Sequence, residues 1–278
     1  MAMWGLLFAQ DKGPGYLSNS TEAQRIEDLL SFYGLTKWGF VVYRCTYGDD
    51  ERWAQFMARL NTHRDAVLRA FYHKPELVES YDWNVHEDPS LEGATKDEVR
   101  RRFRQWVTTT SQMEIPGGLE DFKKAAIMRE NPRYNYCVHV DLDAMDSVMQ
   151  QPAGAIGLDC PVSGYVNLVR ADRGWDLPDF DRFDWASHES LKAAEAEKQE
   201  RNEEEDGDEY EDEEEYEDED EYEDEYDKGE PEIEGSRLTD VGWLMVCAGS
   251  LVPETFAALI RSFVWDIKYR RPPKVMEL

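Results

Sequence analysis

No Gly-rich phosphate-binding loop, no Gly-x-Ser-x-Gly elbow and no His-Glu-x-x-His pair occurs in the 278 residues, which removes the commonest nucleotide-binding, serine-hydrolase and zinc-protease classes. Cysteine is scarce. Cys45, Cys137, Cys160 and Cys247 are scattered with no Cys-x-x-Cys pair, so buried free thiols are the plainer expectation over a zinc cluster or a disulfide framework. His63, His73, His86 and His188 have no spacing that would make them partners. Long apolar runs are missing too: the one in MAMWGLLFAQDKGPG is too short to span a bilayer and lacks a basic start or a small-residue cleavage pattern. A soluble intracellular protein, cytoplasmic or else nuclear, with no membrane partner is expected.

Positive charge is also in short supply, with 31 Lys and Arg against 60 Asp and Glu. The deficit is local. Residues 203–234 hold 23 acidic residues and one lysine, and so carry −22 of the −29 formal charge. Self-repulsion and the lack of aliphatic side chains exclude a packed core there. Tyr210, Tyr216, Tyr222 and Tyr226 recur in an approximate Glu-Tyr-Glu-Asp-Glu repeat. Because apolar patterning resumes afterwards, the segment reads as a disordered acidic insert within a fold. Its charge suits a basic protein partner and disfavours direct nucleic-acid binding.

What is present is organised around Gly39 to Leu60, a buried strand running into an amphipathic helix. Val41, Tyr43, Cys45 and Tyr47 alternate with Phe40, Val42, Arg44 and Thr46, and both faces begin apolar, as in a central strand. Gly48-Asp49-Asp50 supplies the turn and cap. Trp53, Phe56, Met57, Leu60, Val67, Leu68 and Phe71 share one helical face. Further strands are expected at 81–87, 134–142, 164–170 and 242–247, and a helix opens at the Thr95-x-x-Glu98 box.

The expected class is α+β: a mixed sheet of about five strands with helices mainly on one face, of ferredoxin-like sandwich type. Its divisions are a flexible arm at 1–18, a single α+β domain from 19–186 and 235–278, an exposed charged helix at 187–202, and the insert at 203–234.

His139, Asp141 and Asp143 are two residues apart, so a strand persisting to Asp143 would project all three from one face. That set would suit a divalent metal, or an acid and a base, with Arg44 as an anion contact. The plainer alternative is a solvated strand face followed by a helix-capping Asp143. Arg100, Arg101, Arg102 and Arg104, with Lys96 nearby, make a basic helix surface for an anionic partner, unless they are ordinary solvated charge or are covered by the acidic insert. The eight tryptophans from Trp38 onward would line a pocket for a small apolar molecule, or are simply core. No cofactor is indicated. Two functions follow: a binding or regulatory protein tuned by its acidic insert, or a small-molecule enzyme using a Trp-lined pocket with His139, Asp141 and Arg44.

The blocks WGFVVYRCTYGDDERWAQFM, RRFRQWV, YNYCVHVDLDAMDSV, GYVNLV, LTDVGWLMV and YRRPPKV resemble a group of uncharacterised filamentous-fungal (ascomycete) proteins. The resemblance runs from Trp38 to Val275 and implies a fungal origin, which would place the enzyme alternative in fungal specialised metabolism. It brings no activity with it. The chain departs from that group in a longer amino-terminal helix and in its acidic insert.

Overall fold

The computed structural model describes residues 20–152, 156–158, 160–171, 230–261 and 263–277. The expected arm at 1–18, the charged helix at 187–202 and the insert up to residue 229 lie outside them.

Helix α1 (Glu22–Tyr33) starts where Thr21 and Gln24 cap each other reciprocally and stops at Gly34 in the left-handed region. Strand β1 (Val41–Arg44) follows and is buried at every position. Asp49 caps α2 (Asp50–Ala66), which continues as a π-helical turn, Val67–Phe71. That wider turn shifts the helical phase, so Leu68 stays in the core while Phe71, expected inside, is 64% exposed. After α3 (Pro75–Glu79) comes β2 (Asn84–His86), shorter than the alternation over 81–87 suggests.

Thr95 caps α4 (Lys96–Glu114) as its sequence implies, and Val99, Phe103, Trp106 and Val107 are all buried. Next come α5 (Asp121–Glu130), α6 (Pro132–Asn135) and β3 (Tyr136–Val140). The expected longer strand at 134–142 is trimmed at both ends by helix starts. Asn131 with Pro132 opens one, and Asp141 caps the other, α7 (Leu142–Met149). Strand β4 (Tyr165–Arg170) precedes the acidic region and β5 (Trp243–Cys247) follows it. The short helices α8 (Phe256–Leu259) and α9 (Val264–Lys268) lead to a two-residue strand, β6 (Val275–Met276).

The sheet is mixed, in the order β2-β1-β3-β4-β5-β6. Strands β2, β1 and β3 are parallel, β4 is antiparallel to both β3 and β5, and β6 is parallel to β5. The α+β class and mixed sheet hold, with six strands in place of about five. Nothing in this pairing confirms the ferredoxin-like arrangement, and α4 covers the face opposite the one on which α8 and α9 pack. Because side chains alternate along a strand, Phe40 and Tyr136 meet Phe256 and Trp265 on one face. Tyr43 and His86 face Trp106 of α4 on the other. Helices on both sides bury β1 and β3 completely, the usual condition of parallel strands.

The antiparallel β4–β5 ladder joins the chain before the acidic region to the chain after it in one sheet. Ile233 and Glu234, assigned from sequence to the insert, take part in a tight turn: Ile233 and Ser236 exchange both backbone hydrogen bonds across Glu234 and Gly235.

Candidate functional site

Three parallel strands end together, and Arg44, His139, Asp141 and Asp143 lie at or just beyond those ends. Such carboxyl ends are where open parallel sheets place ligands. The two faces of the sheet, however, separate those residues into two groups.

On the α4 face, His139 Nε2 lies 2.8 Å from the carbonyl oxygen of Ala94. A carbonyl only accepts, so Nε2 carries the hydrogen and Nδ1 is bare. Asn167, opposite His139 in β4, supplies the complement. Its Nδ2 donates to Asp141 Oδ2 at 3.0 Å and points a second hydrogen at His139 Nδ1, 3.4 Å away. His139 and Asp141 are therefore bridged by an amide rather than paired as ions, although Nδ1 and Oδ2 are only 3.7 Å apart. Burial, reinforced by the Lys96 charge, holds the imidazole below its usual range. The ring is neutral at pH 7 and 1% exposed.

Asp141 is the N-cap of α7, its Oδ1 accepting from the Ala144 N–H at 2.9 Å. Burial pushes its carboxyl up, but that hydrogen bond, His139 and Lys96 outweigh it and leave the group below the usual range. Lys96 completes the cluster. Its ammonium is 3.3 Å from Asp141 Oδ2, 2.8 Å from Glu234 Oε1 and 4.5 Å above the Trp243 ring. Beneath this group burial, with a contribution from Asp141, pushes the Cys45 thiol up to about 12. All four cysteines are free, with Cys45 and Cys137 buried.

The metal set does not assemble. Asp143 sits inside the first turn of α7 and is exposed, because the strand ends at Val140 and Asp141, not Asp143, caps the helix. With His139 Nε2 bound to a carbonyl and Asp141 Oδ1 to a backbone amide, neither offers its best donor atom to an ion. Among the described residues no group of three His, Cys, Asp or Glu is arranged to hold a metal.

Arg44 belongs to the opposite face. Its guanidinium lies between the Tyr47 and Trp53 rings, donates to the Thr46 carbonyl, and pairs with Asp50 at 2.6 Å and Glu87 at 3.4 Å. Glu87 also accepts from Trp53 Nε1. Arg44 thus fastens the β1 and β2 loops to the start of α2 and does not join His139.

The four arginines of α4 likewise have internal partners. Arg100 donates to the carbonyls of Arg170 and Gly242 and pairs with Asp97. Arg104 donates to Ala171 O. Arg101 pairs with Glu98, and Arg102 with Glu98 and Asp88. This surface is a clamp on the ends of β4 and β5 together with a set of local ion pairs.

The described tryptophans are dispersed. Trp38, Trp53, Trp83 and Trp265 each donate an indole N–H to a different partner: Leu77 O, Glu87, Asn61 and Asp240. The apolar hollow lined by Leu168, Leu244, Trp265 and Met276 has room for about one water molecule. Trp175 and Trp185 lie outside the described residues.

Sequence reasoning passed over Asn167, Glu234 and the central role of Lys96. Two signals were available. Asn167 is the polar interruption of an apolar strand, and Lys96 occupies the first turn of a helix, where the macrodipole favours acids. Comparison with protein-family models, with curated proteins and with solved structures returned no match. Among the described residues no helix is long and apolar enough to cross a membrane.

Proposed function

We propose that this is a binding protein whose acidic segment, together with one end of the sheet, recognises a Lys- and Arg-rich protein partner. The observation that carries the reading is the Lys96–Glu234 contact. It brings the return end of the acidic segment to the sheet end where exposed Asp49, Asp50, Glu87, Asp88, Glu92 and Asp143 lie in the loops after β1, β2 and β3 and the helix turns that follow them. The described acidic residues of that return end and the loop carboxylates then meet a cationic partner together. Such recognition is driven largely by long-range attraction, which raises association rates and weakens steeply with salt.

The catalytic alternative has less support. His139, Asp141 and Arg44 are divided between two faces, and their polar atoms are engaged with the protein itself. In the reading preferred here these residues are structural, and the chemistry of recognition belongs to exposed carboxylates.

The test compares the intact chain with one in which the acidic residues of 203–227 are replaced by Asn and Gln, leaving length and the Ile233–Ser236 turn unchanged. A Lys-rich polypeptide probe should bind the intact chain at low salt, with affinity falling linearly in log-log form as salt rises. The neutralised chain should lose at least about tenfold in affinity, about 1.4 kcal/mol. Equal binding by the two chains, or binding insensitive to salt, refutes the reading.

A further inference from the structure

We propose that the space beside Lys96 is a carboxylate-binding site, and that Glu234 is its built-in occupant. The inference does not rest on the basic-partner reading.

Four features of the turn and the cluster carry it. First, Glu234 has φ +48° and Gly235 φ +82°, the pattern of a two-residue hairpin turn that favours Asn or Gly at both central positions. A glutamate there is at odds with the turn. Its carboxylate, 2.8 Å from the Lys96 ammonium, gives the residue a reason to be present.

Second, the two carboxylates on Lys96 differ in kind. Asp141 is fixed by the Ala144 N–H and by Asn167, so it belongs to the frame. Glu234 hangs from a hairpin tip with 36% of its side chain exposed. It is the exchangeable member of the pair.

Third, the receiving surface is built by elements other than the turn. The Lys96 side chain is 10% exposed with Glu234 in place, and the Trp243 indole provides a flat wall 4.5 Å from the ammonium. His139 and Asn167 stand behind Asp141 and fix its orientation. A small carboxylate placed on Lys96 restores the charge balance that Glu234 maintains.

Fourth, the hairpin has its own anchorage. Arg271 donates to the carbonyls of Ser236 and Leu238, so the chain on the far side of the turn stays held when the Glu234 carboxylate is removed. The site therefore accepts a short carboxylate, of acetate or propionate size, in place of the glutamate head.

The experiment is chemical rescue. Glu234→Asn keeps a residue suited to the left-handed turn and deletes the carboxylate. Thermal unfolding is followed in sodium acetate, in acetamide, and in sodium chloride at matched ionic strength. Acetate, and neither control, should raise the midpoint of Glu234→Asn in a saturable manner. The half-effect concentration should be about tenfold lower than in the intact chain, where the tethered carboxylate competes. The Trp243 indole and Asn167 amide signals in nitrogen-correlated NMR spectra should move over the same range. The double variant Glu234→Asn, Lys96→Gln should respond to acetate as it does to chloride. Equal response of Glu234→Asn to acetate and chloride overturns the proposal, as does a double variant that is still rescued. Both outcomes are independent of any test with a basic polypeptide.

Discussion

Replacing Arg133 with Met should be the most damaging single change in the described domain. Arg133 is fully buried, yet its guanidinium makes five hydrogen bonds: two to the Glu114 carboxylate, one to the Asp82 carboxylate, and one each to the carbonyls of Gly39 and Asp82. It also lies over the Trp106 ring. The side chain therefore joins the entries to β1 and β2, the end of α4 and the start of α6. Methionine fills much of the same volume but leaves Glu114, whose side chain is 16% exposed, as a nearly buried charge that still accepts from the Tyr134 hydroxyl. Removing one partner of such a pair costs about 3–5 kcal/mol, chiefly through the charge left behind. At roughly 2–4 °C per kcal/mol for a domain of this size, the unfolding midpoint falls by about 6–20 °C. Urea unfolding of the single variant, of Glu114→Gln and of the pair provides the check. The double variant should recover at least about 1 kcal/mol over the sum of the singles, because the stranded charge is gone. A loss below about 1 kcal/mol for Arg133→Met, or strict additivity, refutes the argument that desolvated charge dominates.

Two further predictions concern the polar cluster. His139 is held neutral by burial, so its folded pKa lies below its unfolded value. In the window between the two the unfolded chain binds more protons, and stability rises with pH. The His139 contribution is thus fully present above about pH 6.5 and is lost as pH falls towards the folded value. His139→Asn should flatten the pH dependence of the urea midpoint between pH 7 and 5 without abolishing it, since burial depresses His86 in the same direction; an unchanged slope counts against the assignment. Asp141→Ala removes the α7 cap and one carboxylate of Lys96. It should cost at least the ordinary 1–2 kcal/mol of a lost cap, and a neutral effect on the unfolding midpoint would show that Asp141 does not anchor the cluster.

Local signals in the sequence were read with most success. Thr95 and Asp49 mark helix starts because capping depends on residues within one turn, and Trp53, Phe56 and Leu60 reveal their buried face by spacing alone. The buried state of Arg44 was not legible. Its charge is compatible with the interior only because Glu87 and Asp50 meet it there, and neither pairing has a local signature. The same holds for strand order. Parallel pairing of β1 with both β2 and β3 is a long-range choice, whereas alternation reports only which strands exist. Strand β6, two residues long, is below the length at which any period can be detected. At the candidate site the structure brings His139 and Asp141 together and leaves Asp143 apart, because the strand ends at Val140 and Asp141 begins the helix. Lys96 was read as one more surface charge, since its partners Asp141 and Glu234 are distant in sequence.

The clamp formed by Arg100 has a bearing on how this chain tolerates change. The Arg170 N–H donates to Gly242 O at 3.0 Å, and Arg100 holds the carbonyls of both residues. The chain therefore departs from the sheet and re-enters it at a single rung of one ladder, as a loop of thread is caught in one knot. The entropy of closing such a loop grows only with the logarithm of its length, at about 0.6 kcal/mol per doubling. Added or lost Glu-Tyr-Glu-Asp-Glu units leave the β4–β5 pairing almost unaffected. Tract length, and with it the charge of the segment, can change without any compensating change in the core.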